Sequence, residues 1–223
     1  EGLREVAFEL ASEGCRLAEQ LREKLCAVVL TGDPKDFNEG LSQYVDTIYY
    51  SKTNDGVDAY THVLSHLIRK YNPRLILMES TPLGNELASR VAARNEIGII
   101  TDCQILSLNN RGCLEVTKMI HGDKVYAIVE TPVSKSLVVT VRKGSFDLME
   151  SSPNKATELV IDNMEVDPPF YRKKYLEFVK GDPKKIDISK AEIIVAAGRG
   201  IGGNEELKKI ERLAEMLGGS LGG

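Results

Sequence analysis

Leu3, Val6, Ala7, Leu10, Gly14, Leu17, Ala18 and Leu21 recur at steps of three and four with charged residues between them. That spacing draws one apolar stripe along a helix and predicts an amphipathic helix over residues 3–24. A continuous apolar run from Leu25 to Leu30 follows and closes in Thr31, Gly32, Asp33 and Pro34, the pattern of a buried strand ended by a turn. The unit then repeats. Thr47 to Tyr50 reads as a strand, Val57, Tyr60, Leu64, Leu67, Ile68 and Tyr71 as one face of a helix, and Leu75 to Met78 as a strand. Thr81 is placed to cap a further helix, whose first turn suits Pro82 and which runs to about Asn95 before a strand at Ile97 to Thr101. Such alternation implies a parallel sheet in an α/β, Rossmann-like domain.

From Gln104 the rhythm changes to short β-rich runs: Gln104 to Leu108, Cys113 to Ile120, Lys124 to Glu130 and Leu137 to Arg142. Separated by Asn109-Asn110-Arg111-Gly112 and His121-Gly122-Asp123, they predict an antiparallel β-hairpin extension of that domain. The charged stretch from Asp167 to Lys185 carries Asp167-Pro168-Pro169 at its start and Gly181-Asp182-Pro183 near its end, the composition of a linker or peripheral helix. We place the domain boundary there, giving a first domain over residues 1–185 and the beginning of a second over 186–223. In the second, Ala191 to Ala197 is an apolar strand, Gly198 to Gly203 a glycine-rich turn, and Asn204 to Leu217 a helix with Leu207, Ile210, Leu213, Ala214 and Leu217 on one face. One strand and one helix bury too little to stand alone, so this second unit is expected to be completed by further residues or another chain.

Composition narrows the function classes. With 42% hydrophobic and 28% charged residues over 223 positions, the chain can bury a sizeable core. A formal net charge of −4 supplies no global positive field for nucleic acid or anionic lipid. Apolar runs such as Ala27 to Leu30 fall far short of the roughly 20 residues of a membrane-spanning helix. Cys15, Cys26, Cys103 and Cys113 form no CxxC pair, which argues for free thiols in a reducing compartment, cytoplasm or organelle matrix. No secretory or transit pattern opens the chain, and a start at Glu1 rather than Met suggests trimming.

Gly198-Arg199-Gly200-Ile201-Gly202-Gly203 satisfies G-x-G-x-x-G between a predicted strand and a predicted helix. Two readings stay open: a nucleotide phosphate on the helix N-terminus, or a tight strand-to-helix turn. Ser80, Thr81, Gly84 and Asn85 sit where open α/β sheets bind ligands, although capping alone explains them. Cys103, after Thr101-Asp102, is a candidate nucleophile with no base near it in sequence. His62 and His66 share a helix face at metal-binding spacing, against the commoner reading of surface histidines. Tyr171-Arg172-Lys173-Lys174-Tyr175 is a basic patch with aromatic neighbours that reads best as a solvated helix face.

Three blocks together resemble the α subunit of electron transfer flavoprotein along nearly the whole chain. They are Leu75 to Arg94 followed by Gly98-Ile-Ile-Thr-Asp-Cys103; Lys135 to Phe146, ending Thr140-Val-Arg-Lys-Gly-Ser-Phe146, where Lys143 stands in place of the family's proline; and Ala191 to Gly200 with Asn204-Glu-Glu and Leu213 to Gly218. The resemblance implies an electron carrier rather than a substrate-converting enzyme. It implies FAD held by the C-terminal domain, with Gly198, Arg199 and Gly200 beside the flavin and Arg199 as a cationic contact to reduced flavin or its phosphates. It further implies a β subunit as partner and flavoprotein dehydrogenases, such as the acyl-CoA dehydrogenases of fatty acid β-oxidation, as electron donors. An acceptor such as a quinone oxidoreductase completes the path, in bacterial cytoplasm or, in a eukaryote, the mitochondrial matrix. The family continues at both ends, so the chain is expected to be truncated relative to it, with most of the FAD pocket outside the 223 residues. An adenine-nucleotide-binding α/β domain and a scaffold subunit without cofactor are the competing readings.

Overall fold

The computed structural model describes residues 3, 5–30, 37, 40–53, 56–132, 136–149, 156–161, 188 and 191–222. The chain divides into two units, Glu1–Tyr175 and Leu176–Gly223. The expected boundary at 185 and the patch at 171–175 lie outside the described residues.

In the first unit, α1 (Glu5–Leu21) leads into β1 (Cys26–Val29), β2 (Thr47–Tyr50), α2 (Val57–Tyr71), β3 (Leu75–Glu79), α3 (Pro82–Asn95) and β4 (Gly98–Leu108). β5 (Cys113–Ile120), β6 (Val125–Pro132), β7 (Leu137–Val141) and β8 (Glu158–Ile161) follow. β1, β2 and β8 form one parallel sheet. A second sheet has the order β3-β7-β4-β5-β6, parallel across β3, β7 and β4 and extended antiparallel by β5 and β6. This is the expected parallel-sheet domain with a hairpin extension.

Leu137 to Arg142 corrects the sequence reading. β7 is not part of a hairpin but lies between β3 and β4, parallel to both. All five of its residues are buried, which is why the run is continuously apolar where a strand covered on one face would alternate. The runs Ile97 to Thr101 and Gln104 to Leu108 join into the single strand β4, which bulges where Asp102 turns left-handed at φ 59° and the register shifts between Ile100 and Cys103.

Helices cover both faces of the second sheet. Leu10, Leu17 and Leu21 of α1 pack with Leu75, Leu77, Leu106, Leu114, Val116, Val139 and Val141. On the opposite face Leu64 and Ile68 of α2 and Val91 of α3 take Ile76 and Met78 of β3 together with Leu30, just past β1. Leu30 and strand β3 therefore meet the same helix pair, while among the described residues β1 and β3 each end their own sheet and do not pair with one another. The polar side of α1 is buried as well: Glu9 accepts from Gly144 N at 2.8 Å, Ser12 Oγ from Met149 N at 3.0 Å, and Glu13 pairs with Arg16.

The second unit contains β9 (Ile194–Ala196), a 3-10 turn (Arg199–Ile201), α4 (Asn204–Met216) and β10 (Ser220–Gly222). The expectation of one strand and one helix is corrected here. Ser220 to Gly222 pairs in parallel with β9, held at its ends by Ser220 N to Ile193 O (2.9 Å) and Ala197 N to Gly222 O (2.7 Å).

Candidate functional site

β9 delivers the glycine-rich turn at its carboxyl end, the position from which parallel α/β sheets present ligands. Gly198 is extended at φ −93°, ψ 175°, and Gly202, at φ 89°, needs glycine for its backbone. Gly198 and Gly200 are different. Neither has a left-handed φ, and a Cβ added to either meets nothing within 4 Å. Backbone conformation and packing among the described residues thus make no demand for glycine at these two positions. The space beside both is open among the described residues. Between them Arg199 is exposed, and its guanidinium has no hydrogen-bond or ion-pair partner among the described residues. The three residues expected at the flavin are therefore an exposed cation flanked by bare backbone, an arrangement that fits a planar, electron-accepting ring.

Immediately after the turn, α4 begins behind Gly203, which supplies no side-chain cap, and its first turn carries Glu205 and Glu206. Both acids are exposed. Leu207 N to Gly203 O, at 3.0 Å, is the first helical bond.

The first unit gathers a second polar cluster at the carboxyl ends of β3 and β7 and the bulge of β4. Thr81 caps α3 by accepting from Gly84 N at 3.0 Å, as the sequence predicts. Ser80 and Asn85 do more than cap. Ser80 Oγ donates to Asp102 Oδ1 (3.3 Å) and accepts from Asn85 Nδ2 (3.2 Å). Asn85 Oδ1 accepts from Thr140 Oγ1 (2.7 Å), which accepts in turn from Asp102 N (2.9 Å), closing a ring. Arg142 grips the Asp102 carboxylate and reaches Asp123 at 3.3 Å. The Arg142 hydrogen bonds hold the Asp102 carboxyl below its usual range, against some desolvation, and the two carboxylates push the Arg142 guanidinium up.

A family model for the electron transfer flavoprotein domain matches residues 1–168, and one for the electron transfer flavoprotein FAD-binding domain matches residues 187–223. The chain belongs to the electron transfer flavoprotein α-subunit family. It is similar to protein FixB of Clostridium saccharobutylicum, 30% identical over an alignment that covers 99% of this chain and 67% of that protein. The electron transfer flavoprotein subunit alpha of Thermoanaerobacterium thermosaccharolyticum is 28% identical over 99% of this chain and 68% of its own. Subunit LctC of the lactate dehydrogenase (NAD(+),ferredoxin) of Acetobacterium woodii is 29% identical over 97% of this chain and 53% of its own.

In this chain the other sequence candidates resolve differently. Cys103 is fully buried, and burial pushes its thiol up to about 12, so it is no nucleophile. His62 faces Arg94, whose Nη2 lies 3.4 Å from Nδ1, a cation where a metal site needs anions or neutral donors. Sequence reasoning missed the Asp102–Arg142 pair; the signal was an aspartate inside an apolar strand, passed over for its neighbour Cys103. No helix among the described residues is long and apolar enough to cross a membrane.

Proposed function

We propose that the chain is the α subunit of a heterodimeric electron transfer flavoprotein, carrying electrons through FAD between flavoprotein dehydrogenases, acyl-CoA dehydrogenases among them, and an acceptor such as a quinone oxidoreductase. The observation that carries the reading is the pair Gly198 and Gly200, whose bare backbone serves nothing within the described chain, with the unpaired cation of Arg199 between them. FAD, when bound, supplies the one- and two-electron chemistry. The chain's own contribution is a flat approach at Gly198 and Gly200 and a positive charge at Arg199 that favours a more negative ring. A β subunit as partner and a dehydrogenase as donor are supported by relatives named as subunits and, for LctC, as part of a lactate dehydrogenase. Four free cysteines suit the cytoplasm or another reducing compartment.

The test is the visible spectrum of the native complex, with Gly200→Val as the diagnostic variant. Flavin bands in the wild type that are lost in Gly200→Val, at a folding stability unchanged to within about 0.5 kcal/mol, are expected. A complex that stays colourless after addition of FAD and the partner subunit overturns the reading.

A further inference from the structure

Two hydroxyls of the first unit are buried without a hydrogen bond. Ser51 is 1% and Thr53 6% exposed, and among the described residues neither Ser51 Oγ nor Thr53 Oγ1 meets a donor or acceptor. Burial in this state is costly and rare, so such groups call for a partner. Both residues follow the carboxyl end of β2, where Ser51 N donates to Val29 O at 3.1 Å and Thr53 N to Leu30 O at 3.0 Å, beside the end of β1. This crest is where parallel α/β sheets hold their ligands. Side chains of β2 alternate between two faces. Ile48 packs with Phe37 and Leu41 on one, and Tyr49 lies against Tyr71 of α2 on the other, ring centroids 4.4 Å apart. Ser51, two positions beyond Tyr49, falls on the α2 side, and α2 begins shortly after Thr53. Its N-cap, Gly56 at φ 79°, offers no side-chain acceptor to the first amides of this 15-residue helix. The acid of that first turn, Asp58, is held by Arg90 at 2.6 Å, which offsets its charge.

We propose that the crest of β1 and β2 is a binding site for a phosphate group, held by the Ser51 and Thr53 hydroxyls and the amino end of α2. Each hydroxyl can donate to a phosphate oxygen, and the helix end favours the negative charge. A buried water satisfies the two hydroxyls alone; a phosphate group matches the hydroxyls and the helix end together. Free phosphate and a phosphate ester share this chemistry. The site lies in the first unit and stands independently of the flavin reading of the second.

The experiment compares the full chain with its Ser51→Ala and Thr53→Val variants, using inorganic phosphate and glycerol 3-phosphate as probes and chloride at matched ionic strength as the control. Calorimetry is expected to show binding to the wild type that weakens at least about tenfold in each variant. The tighter of the two probes tells whether the occupant is the free ion or an ester. In chloride the variants lose only a hydroxyl that has no partner, so they are expected to melt at or above the wild-type temperature. In phosphate the wild type alone is expected to gain beyond the general salt effect common to all three proteins. No binding of either probe to the wild type, or equal binding by all three proteins, overturns the proposal. Variants that melt more than about 2 °C below the wild type in chloride reveal hydroxyls already bonded to an ordered water, and overturn it as well.

Discussion

Arg142 holds Asp102 by both oxygens of its carboxylate, Nε at 3.0 Å from Oδ1 and Nη2 at 2.6 Å from Oδ2. The pair joins the end of β7 to the bulge of β4, and through Asp123 it also ties down the β5–β6 turn. Asp102 sits at φ 59°, a conformation that costs a non-glycine residue on the order of 1 kcal/mol or more inside a strand. The two-point grip and the Ser80 and Thr140 hydrogen bonds offset that cost.

Arg142→Met is therefore expected to destabilise the first unit modestly, because the two side chains are 34% and 36% exposed and solvent screens the pair. Urea denaturation of Arg142→Met, Asp102→Asn and the double variant reads the coupling directly. A coupling indistinguishable from zero shows the grip to be ornamental.

The same carboxylate sets an acid limit. Its folded-state value is depressed by Arg142, so its contribution is complete above the unfolded aspartate value of about 3.9. Below that pH the unfolded chain takes up its proton first, and the contribution drains until the folded carboxyl is protonated as well. Urea midpoints between about pH 5 and about pH 3 are expected to fall more steeply for the wild type than for Asp102→Asn.

Gly84 admits no side chain. A Cβ there stands 2.0 Å from the carbonyl oxygen of Glu79, which is backbone and cannot rotate away. Gly84→Ala is expected to cost about 2–3 kcal/mol, a drop in melting temperature of roughly 5 °C or more. A melting temperature within about a degree of wild type contradicts the close approach of α3 to the end of β3.

Thiol labelling separates the cysteines. Cys103 is buried with its thiol raised to about 12, leaving a thiolate fraction of about one in ten thousand at pH 8. Cys26 is exposed. An aromatic disulfide reagent is expected to modify Cys26 more than about a hundredfold faster than Cys103, with Cys103 reacting on the timescale of unfolding.

Arg199→Ala is expected to lower the midpoint potential of the flavin in the native complex. Loss of one nearby charge, about 1 kcal/mol in partly solvated surroundings, corresponds to roughly 20 mV for a two-electron couple. Spectroelectrochemistry at matched flavin content reads the shift; an unchanged potential removes Arg199 from the ring.

The elements that follow from local rules were legible in the sequence. The 3.6-residue stripe marks α2, and Thr81-Pro82 marks the start of α3. The β5–β6 pairing was legible from the turn residues His121 and Asp123, both left-handed in the structure. What escaped depends on distant partners. β7 reads like its hairpin neighbours until β3 and β4 are known to flank it. β8 is four residues long and borrows its order from β2. The burial of Glu9 on α1 escaped because nothing near it in sequence announces Gly144, 135 residues away. At the candidate site the sequence located the turn, whereas the reason for two of its glycines, open space without a left-handed φ, is visible only with the backbone in place.

The helix pair α2–α3 covers two sheets that share no backbone ladder. α2 is also the covalent link from β2 in one sheet to β3 in the other, and it is clamped to α3 by Arg90 to Asp58 at 2.6 Å and Asn95 to Ser65 at 3.0 Å. Contact between the two sheets through this helix layer therefore combines the covalent continuity of α2 with side-chain packing, the apolar contact of Leu64, Ile68 and Val91 and the polar clamps between the helices. Packing of this kind yields in small increments under shear, whereas a hydrogen-bonded ladder resists until it parts. The first unit thus has a compliant seam beneath α2 and α3, with stiff sheet on either side of it.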